Sequence, residues 1–257
     1  MASIKEFTGL LPRKEIAHLV AELPYDVVST AEARDIAAEN NYSFYHISKP
    51  EIDLPASIDQ YDPRVYEKGR ENLRHFIDTG TMRYDGAAHL YLYTLVMQGR
   101  SQTGLVCGIS IDDYVSDIVK KHELTREEKE IDRMTHIDVL SAQTGLVYLL
   151  YREKAPLQAL FEKAMGIEPL FDFTAVDGVR HVIRVITEES LISAFRESFG
   201  PEILYIADGH HRAASSVKVG LKRRGANPRH TGAEDYNYFM GVVFPITSSG
   251  SCRTTGS

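Results

Sequence analysis

The chain of 257 residues has no tryptophan and only two cysteines. Cys107 sits in an apolar run and Cys252 in a Ser/Thr/Gly tail, so neither a disulfide scaffold nor a thiolate metal site is on offer. No stretch approaches the roughly 18 consecutive apolar residues of a membrane span. The opening MASIKEFTGLLPRKE carries acidic residues and lacks the apolar core of a secretion signal. These absences read as a cytoplasmic chain with no membrane partner. An excess of positive charge is missing too, since 29 Lys and Arg stand against 36 Asp and Glu, a formal charge of −7. Sequence-independent binding to nucleic acid needs the opposite balance, which ranks DNA below small-molecule partners while leaving room for a local basic patch. There is no G-x-x-x-x-G-K-[ST] loop and no strand, G-x-G-x-x-G, helix succession, so any nucleotide has to be held in another way.

What is present is an ordinary globular composition, 43% hydrophobic and 25% charged. Ser29 and Glu32 have capping-box spacing ahead of a short helix that stops at Asn40-Asn41. Asp62-Pro63 opens a second helix, in which Val65, Leu73, Phe76 and Ile77 form an inward stripe and Gly80 lies past the end. The prolines and acidic turn residues between these helices, at 43–63, predict an extended connection. Two strands joined near Gln98-Gly99 follow, with Tyr91 and Tyr93 on one face. Further strands are expected at 181–186, 203–207 and 238–246, and helices at 188–198 and 210–223. Pro156 to Pro169 reads as an excursion between layers. The run Gln102-Thr103-Gly104-Leu105-Val106 recurs at 143–147, either as a similar turn into a strand or as a duplicated unit placing amides and hydroxyls beside one cleft.

The sharpest local signal is Ile206-Ala207-Asp208-Gly209-His210-His211-Arg212-Ala213-Ala214, where a buried-strand pattern turns at Gly209 into a helix. A helix start exposes unpaired N–H groups and partial positive charge, and this one adds two imidazoles and a guanidinium. Arg212 can grip phosphate oxygens in a bidentate way, His210 and His211 can donate, and Asp208 can cap the helix or hold a divalent ion through water. A solvated helix end is the plain alternative. Zinc ranks lower, because adjacent histidines do not share a helix face and no nearby His-x-x-x-His or cysteine pair completes a tetrahedral set.

The second signal runs from Lys120 through Lys121, His122, Glu123, Leu124, Thr125 and Arg126 to His136. Thr125 and Glu128 have capping-box spacing, so a helix is expected from Arg126, with Arg126, Lys129 and Arg133 on one basic face. A solvated charged helix accounts for much of this. The functional alternative makes Glu123, beside His122, the base for a substrate hydroxyl, with Lys121 or Arg126 neutralising phosphoryl charge and Thr125 at the helix entrance. Asp26, in the Leu23-Pro24-Tyr25-Asp26 turn, reads as structural, in a place that also permits a ligand contact.

Taken in order, LPYDVV at 23–28, SFYHISKPEIDLP at 43–55, GRSQTGLV at 99–106, KKHELTREEKEIDR at 120–133, AQTG at 142–145, DGHHRAAS at 208–215 and NYFMGVVFP at 237–245 resemble the bacterial and archaeal family called domain of unknown function 1015 (DUF1015). Its DGHHR segment is similar to the phosphate-binding strand–turn–helix of the ParB/sulfiredoxin superfamily, which includes nucleotide-hydrolysing partition proteins, sulfiredoxins and free-serine kinases. The resemblance implies an α+β fold of mixed sheets and packed helices containing such a phosphate site. It implies ATP or ADP phosphates on Asp208, Gly209, His210, His211 and Arg212; the helix-entrance reading adds Thr125 and Arg126 to the nucleotide site, and phosphoryl transfer calls for Mg²⁺ bridging the oxygens. The expected activity is a small-molecule kinase acting on a hydroxylated metabolite, with free L-serine favoured and Glu123 as base. A ParB-like regulatory protein without kinase activity is the alternative, and no separate helix-turn-helix stretch supports it. Residues 1–247 are expected to form one compound α+β unit, the chain to be a C-terminally shortened member, and 248–257 to be a disordered or non-family tail.

Overall fold

The computed structural model of the protein describes residues 2–246, so the expected tail at 248–257 lies outside the described residues. The first part is mostly helical: β1 (Ile4–Lys5) and β2 (Leu10–Pro12) precede α1 (Ala17–Val20), α2 (Thr30–Ala37), α3 (Tyr45–Ser48) and α4 (Pro63–Asp78). Ser29 and Glu32 form the expected capping box, and the Ser29 N–H donates to Glu32 Oε2 at 2.8 Å. Asp62 caps α4, Pro63 takes its first position, and the helix buries Val65, Leu73 and Phe76. The segment expected to be extended instead holds α3 and a 3₁₀ turn over Pro50–Asp53. Proline breaks a helix only where its missing N–H is needed, and Pro50 opens the turn, where none is required.

The remaining elements are β3 (Met82–Tyr84), which pairs with β2, then β4 (Leu90–Met97), β5 (Arg100–Ser110), α5 (Ile111–Val115), β6 (Val119–Lys120), α6 (Glu127–Leu140) and β7 (Val147–Arg152). After them come α7 (Ala155–Met165), β8 (Phe171–Thr174), β9 (Arg180–Ile186), α8 (Glu189–Phe199), β10 (Leu204–Asp208), α9 (His210–Ala226) and β11 (Tyr238–Ile246). Gln98 and Gly99, with φ of 52° and 75°, make the tight turn of the β4–β5 hairpin, whose twist suits the flanking strands. Nine strands form one sheet in the order β6-β10-β7-β11-β5-β4-β9-β8, with β1 added along β5. It is a mixed sheet, because β6/β10 and β7/β11 are parallel pairs. The fold is therefore mixed α+β. Among the described residues no helix is long and apolar enough to cross a membrane.

Side chains alternate across each strand, so the sheet has two different faces. Leu90 and Leu92 of β4, Leu105, Cys107 and Ile109 of β5 and Val147 and Leu149 of β7 point into a core closed by α7, α8 and α9. Phe161 and Phe195 meet edge to face there, with centroids 5.5 Å apart, and Tyr151 meets Phe199 at 5.1 Å. The span from Pro156 is thus a core helix, α7, and no excursion. The other face carries Tyr91, Val106, Val242 and Phe244, flanked by half-buried Tyr93, Leu95 and Tyr148. It looks across a cavity of about 880 Å³ toward the helical N-terminal part. That part has its own small cores, one of them made by Ile47, Leu73, Phe76, Met82 and Leu140.

Helix α6 joins the two regions. On one side His136 Nε2 meets the Ile47 carbonyl at 2.9 Å, and burial pushes this imidazole down to about 4. On the other side α6 runs alongside α9: Glu130 pairs with Lys218, Ser215 Oγ donates to the Glu130 carbonyl at 3.1 Å, and Asp138 pairs with Lys222 at 2.6 Å and Arg223 at 3.0 Å. Contacts advance in the same direction along both helices. Their N-termini therefore lie side by side.

The repeated Gln-Thr-Gly-Leu-Val run does not mark a duplication. Its first copy lies within strand β5, whereas 143–146 form the loop that leads into β7. Gln143 spans the end of the ladder there, donating to the Tyr238 carbonyl at 2.9 Å and accepting from the Met240 N–H at 2.7 Å.

Candidate functional site

The site is the place where the starts of α6 and α9 converge. β10 ends in a register shift against β7 between Ile206 and Asp208, and Gly209 then turns the chain into α9 with φ of 90°. A bulge of this kind re-aims the strand end, and the positive φ favours a residue without Cβ. A Cβ on Gly209 would also lie 3.1 Å from Arg212 Nε. Gly209 is the N-cap, no side chain caps α9, and its first turn has no acidic residue. Asp208, expected as a cap or ion ligand, instead pairs with Arg212 one turn on. Arg212 also donates to the Leu146 carbonyl and packs beside Gly145, where a Cβ would stand 3.2 Å from its Cδ. The AQTG stretch is therefore a seat for this guanidinium.

The neighbouring helix start is different. α6 has Glu127, Glu128 and Glu130 in its first turn, which offset its own positive end. The expected Thr125/Glu128 capping box does not form: Arg126 is the N-cap, α6 begins at Glu127, and the Thr125 hydroxyl donates to Glu130. Burial pushes the Glu130 carboxyl up, but Lys218 and Thr125 outweigh it and hold the group below its ordinary range. An anion arriving at the paired N-termini thus meets a compensated α6 and an uncompensated α9.

The two sequence clusters do come together. The Arg126 N–H donates to His211 Nε2 at 3.0 Å. His210 Nδ1 lies 3.5 Å from Glu123 Oε2, and His122 Nε2 lies 3.9 Å from Glu123 Oε1. The rings of His122 and His210 stand edge to face with centroids 4.4 Å apart. His122 and Glu123 are exposed, at 60% and 62% of their side chains, while only 4% of His210 is accessible. Burial, and next the neighbouring His122, lower the pKa of His210, so its imidazole favours the neutral form. Its Nε2 is buried without a hydrogen-bond partner.

Lys121 is not brought to this cluster. Its ammonium lies 4.3 Å from the centre of the Tyr114 ring and donates to the Tyr114 carbonyl at 3.2 Å. The expected basic face of α6 does not persist either, because Arg133 is half-buried, paired with Asp132 at 2.8 Å and stacked 4.4 Å from the Tyr25 ring centre. Asp26 is exposed in its turn.

Sequence reading missed the cavity side of the site. Arg133, Tyr25, Thr144 and Arg212 all line the 880 Å³ cavity, so α9 turns Arg212 to the cavity from the same first turn that brings His210 to Glu123. Glu22 lines the cavity as well, accepting from Ser48 Oγ at 3.0 Å, and burial pushes its carboxyl up to about 8. No local pattern brings these groups together, since they come from segments far apart in the chain.

Neither a curated protein nor a solved structure matches the chain. A family model does match, over residues 4–251, and by that match the chain belongs to the family described as Protein of unknown function (DUF1015).

Proposed function

We propose that the chain is a nucleotide-dependent phosphotransferase acting on a small hydroxylated metabolite, with free L-serine as the favoured acceptor. The observation that carries this reading is the convergence of two parallel helix N-termini, only one of which is neutralised by its own side chains. The N–H groups of the first turn of α9 have no side-chain cap, and the Gly209 N-cap puts no Cβ in the way of a phosphate. The succession of β10, the Gly209 turn and α9 supports the reading, since the ParB/sulfiredoxin resemblance implies a phosphate site on a strand, a turn and a helix in that order. The phosphates of ATP or ADP would rest on this turn, with His211 and Arg212 beside them.

The cavity that Arg212 lines is of the size that takes small ligands, commonly about 300–1,000 Å³, and it suits a nucleoside better than a serine alone. Tyr25, Tyr148 and Leu146 give it apolar walls. A divalent cation, Mg²⁺ as phosphoryl transfer calls for, would neutralise charge on the phosphoryl oxygens. Asp208 is committed to Arg212, so Glu123, beside His122 and His210, is the carboxylate that would meet a cation at the platform. Phosphoryl transfer passes through a loose transition state in which positioning and charge neutralisation dominate. Glu123 therefore serves the reaction more by holding the cation than by removing the hydroxyl proton.

The test is nucleotide-dependent formation of phosphoserine by the purified chain, run with ATP and with ADP in the presence of divalent cation. Turnover with one of them is expected, reduced at least about tenfold in Glu123→Gln. A chain that binds nucleotide and yields no phosphoserine with either one contradicts the serine-kinase reading and favours a nucleotide-responsive regulatory protein.

A further inference from the structure

His122, Glu123 and His210 each offer a donor atom, and these atoms lie within 4.8 Å of one another. Two donors bound to one first-row divalent ion, each about 2.0–2.2 Å from it, are at most about 4.4 Å apart. The separations of 3.5 Å from His210 Nδ1 and 3.9 Å from His122 Nε2 to the Glu123 carboxylate already fall in that range. They are too long for good N–H···O hydrogen bonds, which cluster near 2.9 Å. The two separations to the Glu123 carboxylate leave room for an ion, and neither imidazole satisfies that carboxylate with a close hydrogen bond.

Two further observations separate this cluster from a chance meeting of surface side chains. The first is that the loop carrying His122 and Glu123 is tied to the start of α9, the Arg126 N–H donating to His211 Nε2 at 3.0 Å. The second is the burial of His210 with Nε2 unpartnered. An apolar ring would fill that position without leaving a polar atom unsatisfied. What the imidazole adds is Nδ1, aimed at Glu123. The exposed sides of His122 and Glu123 leave the cluster open, as a site must be if an ion is to keep positions for substrate or water.

We propose that His122, Glu123 and His210 form a three-ligand site for a first-row divalent transition ion, of the manganese-to-zinc class, in preference to Mg²⁺. Two imidazoles and one carboxylate suit such ions, whereas Mg²⁺ favours all-oxygen shells and gives up water reluctantly. An ion held there would stand at the start of α9, where His210 is the first helical residue. Its action on phosphate oxygens there rests on the phosphotransferase reading; the site itself does not.

The experiment is a titration of the metal-stripped full chain with Co²⁺, followed by visible absorption and by calorimetry, then competition with Zn²⁺ and Mg²⁺. A ligand-field band saturating at a single ion is expected, lost on adding Zn²⁺ and retained in excess Mg²⁺. His210→Ala should abolish the band. Because His210 is buried, His122→Ala at the exposed position is the second variant, expected to weaken binding at least about tenfold while the far-ultraviolet dichroism and thermal unfolding stay unchanged. His75→Ala, on the exposed face of α4, should leave the affinity as it is. No band, a band unaltered in both ligand variants, or displacement by Mg²⁺ as readily as by Zn²⁺ would overturn the proposal. Cobalt binding without nucleotide binding keeps the ion site and removes the phosphotransferase reading; nucleotide binding without cobalt binding does the reverse.

Discussion

The two faces of the central sheet are built from alternate residues of the same strands, yet they do opposite work. In β4, Leu90 and Leu92 are fully buried under helices, while Tyr91 and Tyr93, one residue out of step, face the cavity side. The closed face is apolar and filled by rings from α7 and α8. The open face and the wall across the cavity from it carry polar groups with unusual surroundings: the Tyr93 hydroxyl lies 2.6 Å from His181 Nδ1 on the sheet, and the Glu22 carboxyl opposite is pushed up to about 8. One face is sealed by helices and the other opens on a cavity, and α9 belongs to both. Its Ala213 and Val217 seal the core, while its first turn carries the charged end of the site.

The comparison is most easily broken by a truncation on the closed face. Phe195 is fully buried against Phe161, so Phe195→Ala should cost about 3–5 kcal/mol in denaturant unfolding, through lost burial and the cavity left behind. A cost below about 1 kcal/mol would mean that this face is not the stabilising one.

A smaller effect of distinctive form is expected from Glu22, on the cavity wall opposite the open face. Burial chiefly raises its pKa, against the pull of the Ser48 hydroxyl and Lys49. Between its ordinary value of 4.5 and its folded value of about 8, the folded chain keeps a proton that the unfolded chain has released. The contribution of Glu22 to stability therefore falls as pH rises through that window. Thermal or denaturant unfolding at a series of pH values should show Glu22→Gln with a flatter profile and a relative gain near pH 8. A variant that keeps the slope of the parent would show that the cavity wall does not hold a neutral carboxyl.

The elements that were legible in the sequence are those specified by local chemistry. The Ser29–Glu32 box, the Asp62-Pro63 start, the Gln98-Gly99 turn and the β10–Gly209–α9 turn all depend on residues within one turn of each other. Where a tertiary contact decides, the local pattern misleads. Thr125 has capping-box spacing but turns to Glu130, and Arg133 sits on a basic helical face yet is drawn inward by Asp132 and Tyr25. Pro50 reads as a breaker and begins a helical turn. For the site, each half could be read separately. Their meeting could not, because the parallel packing of α6 on α9 depends on pairs such as Glu130 with Lys218, separated by 88 positions. The cluster of His122, Glu123 and His210 was hidden for the same reason: its members lie in segments far apart in the chain, and no short spacing joins them.

The claim that unites these observations is that the start of α9, with the loop before α6, is a phosphate platform. Amide resonances of the isotopically labelled chain, followed by heteronuclear NMR during titration with ADP or ATP and divalent cation, test it most directly. The largest shifts are expected at Gly209, His210, His211 and Arg212, with a second group at 122–126, because the N–H groups themselves would meet the phosphates. Shifts confined to the far end of the cavity, or none at saturating nucleotide, would contradict the account.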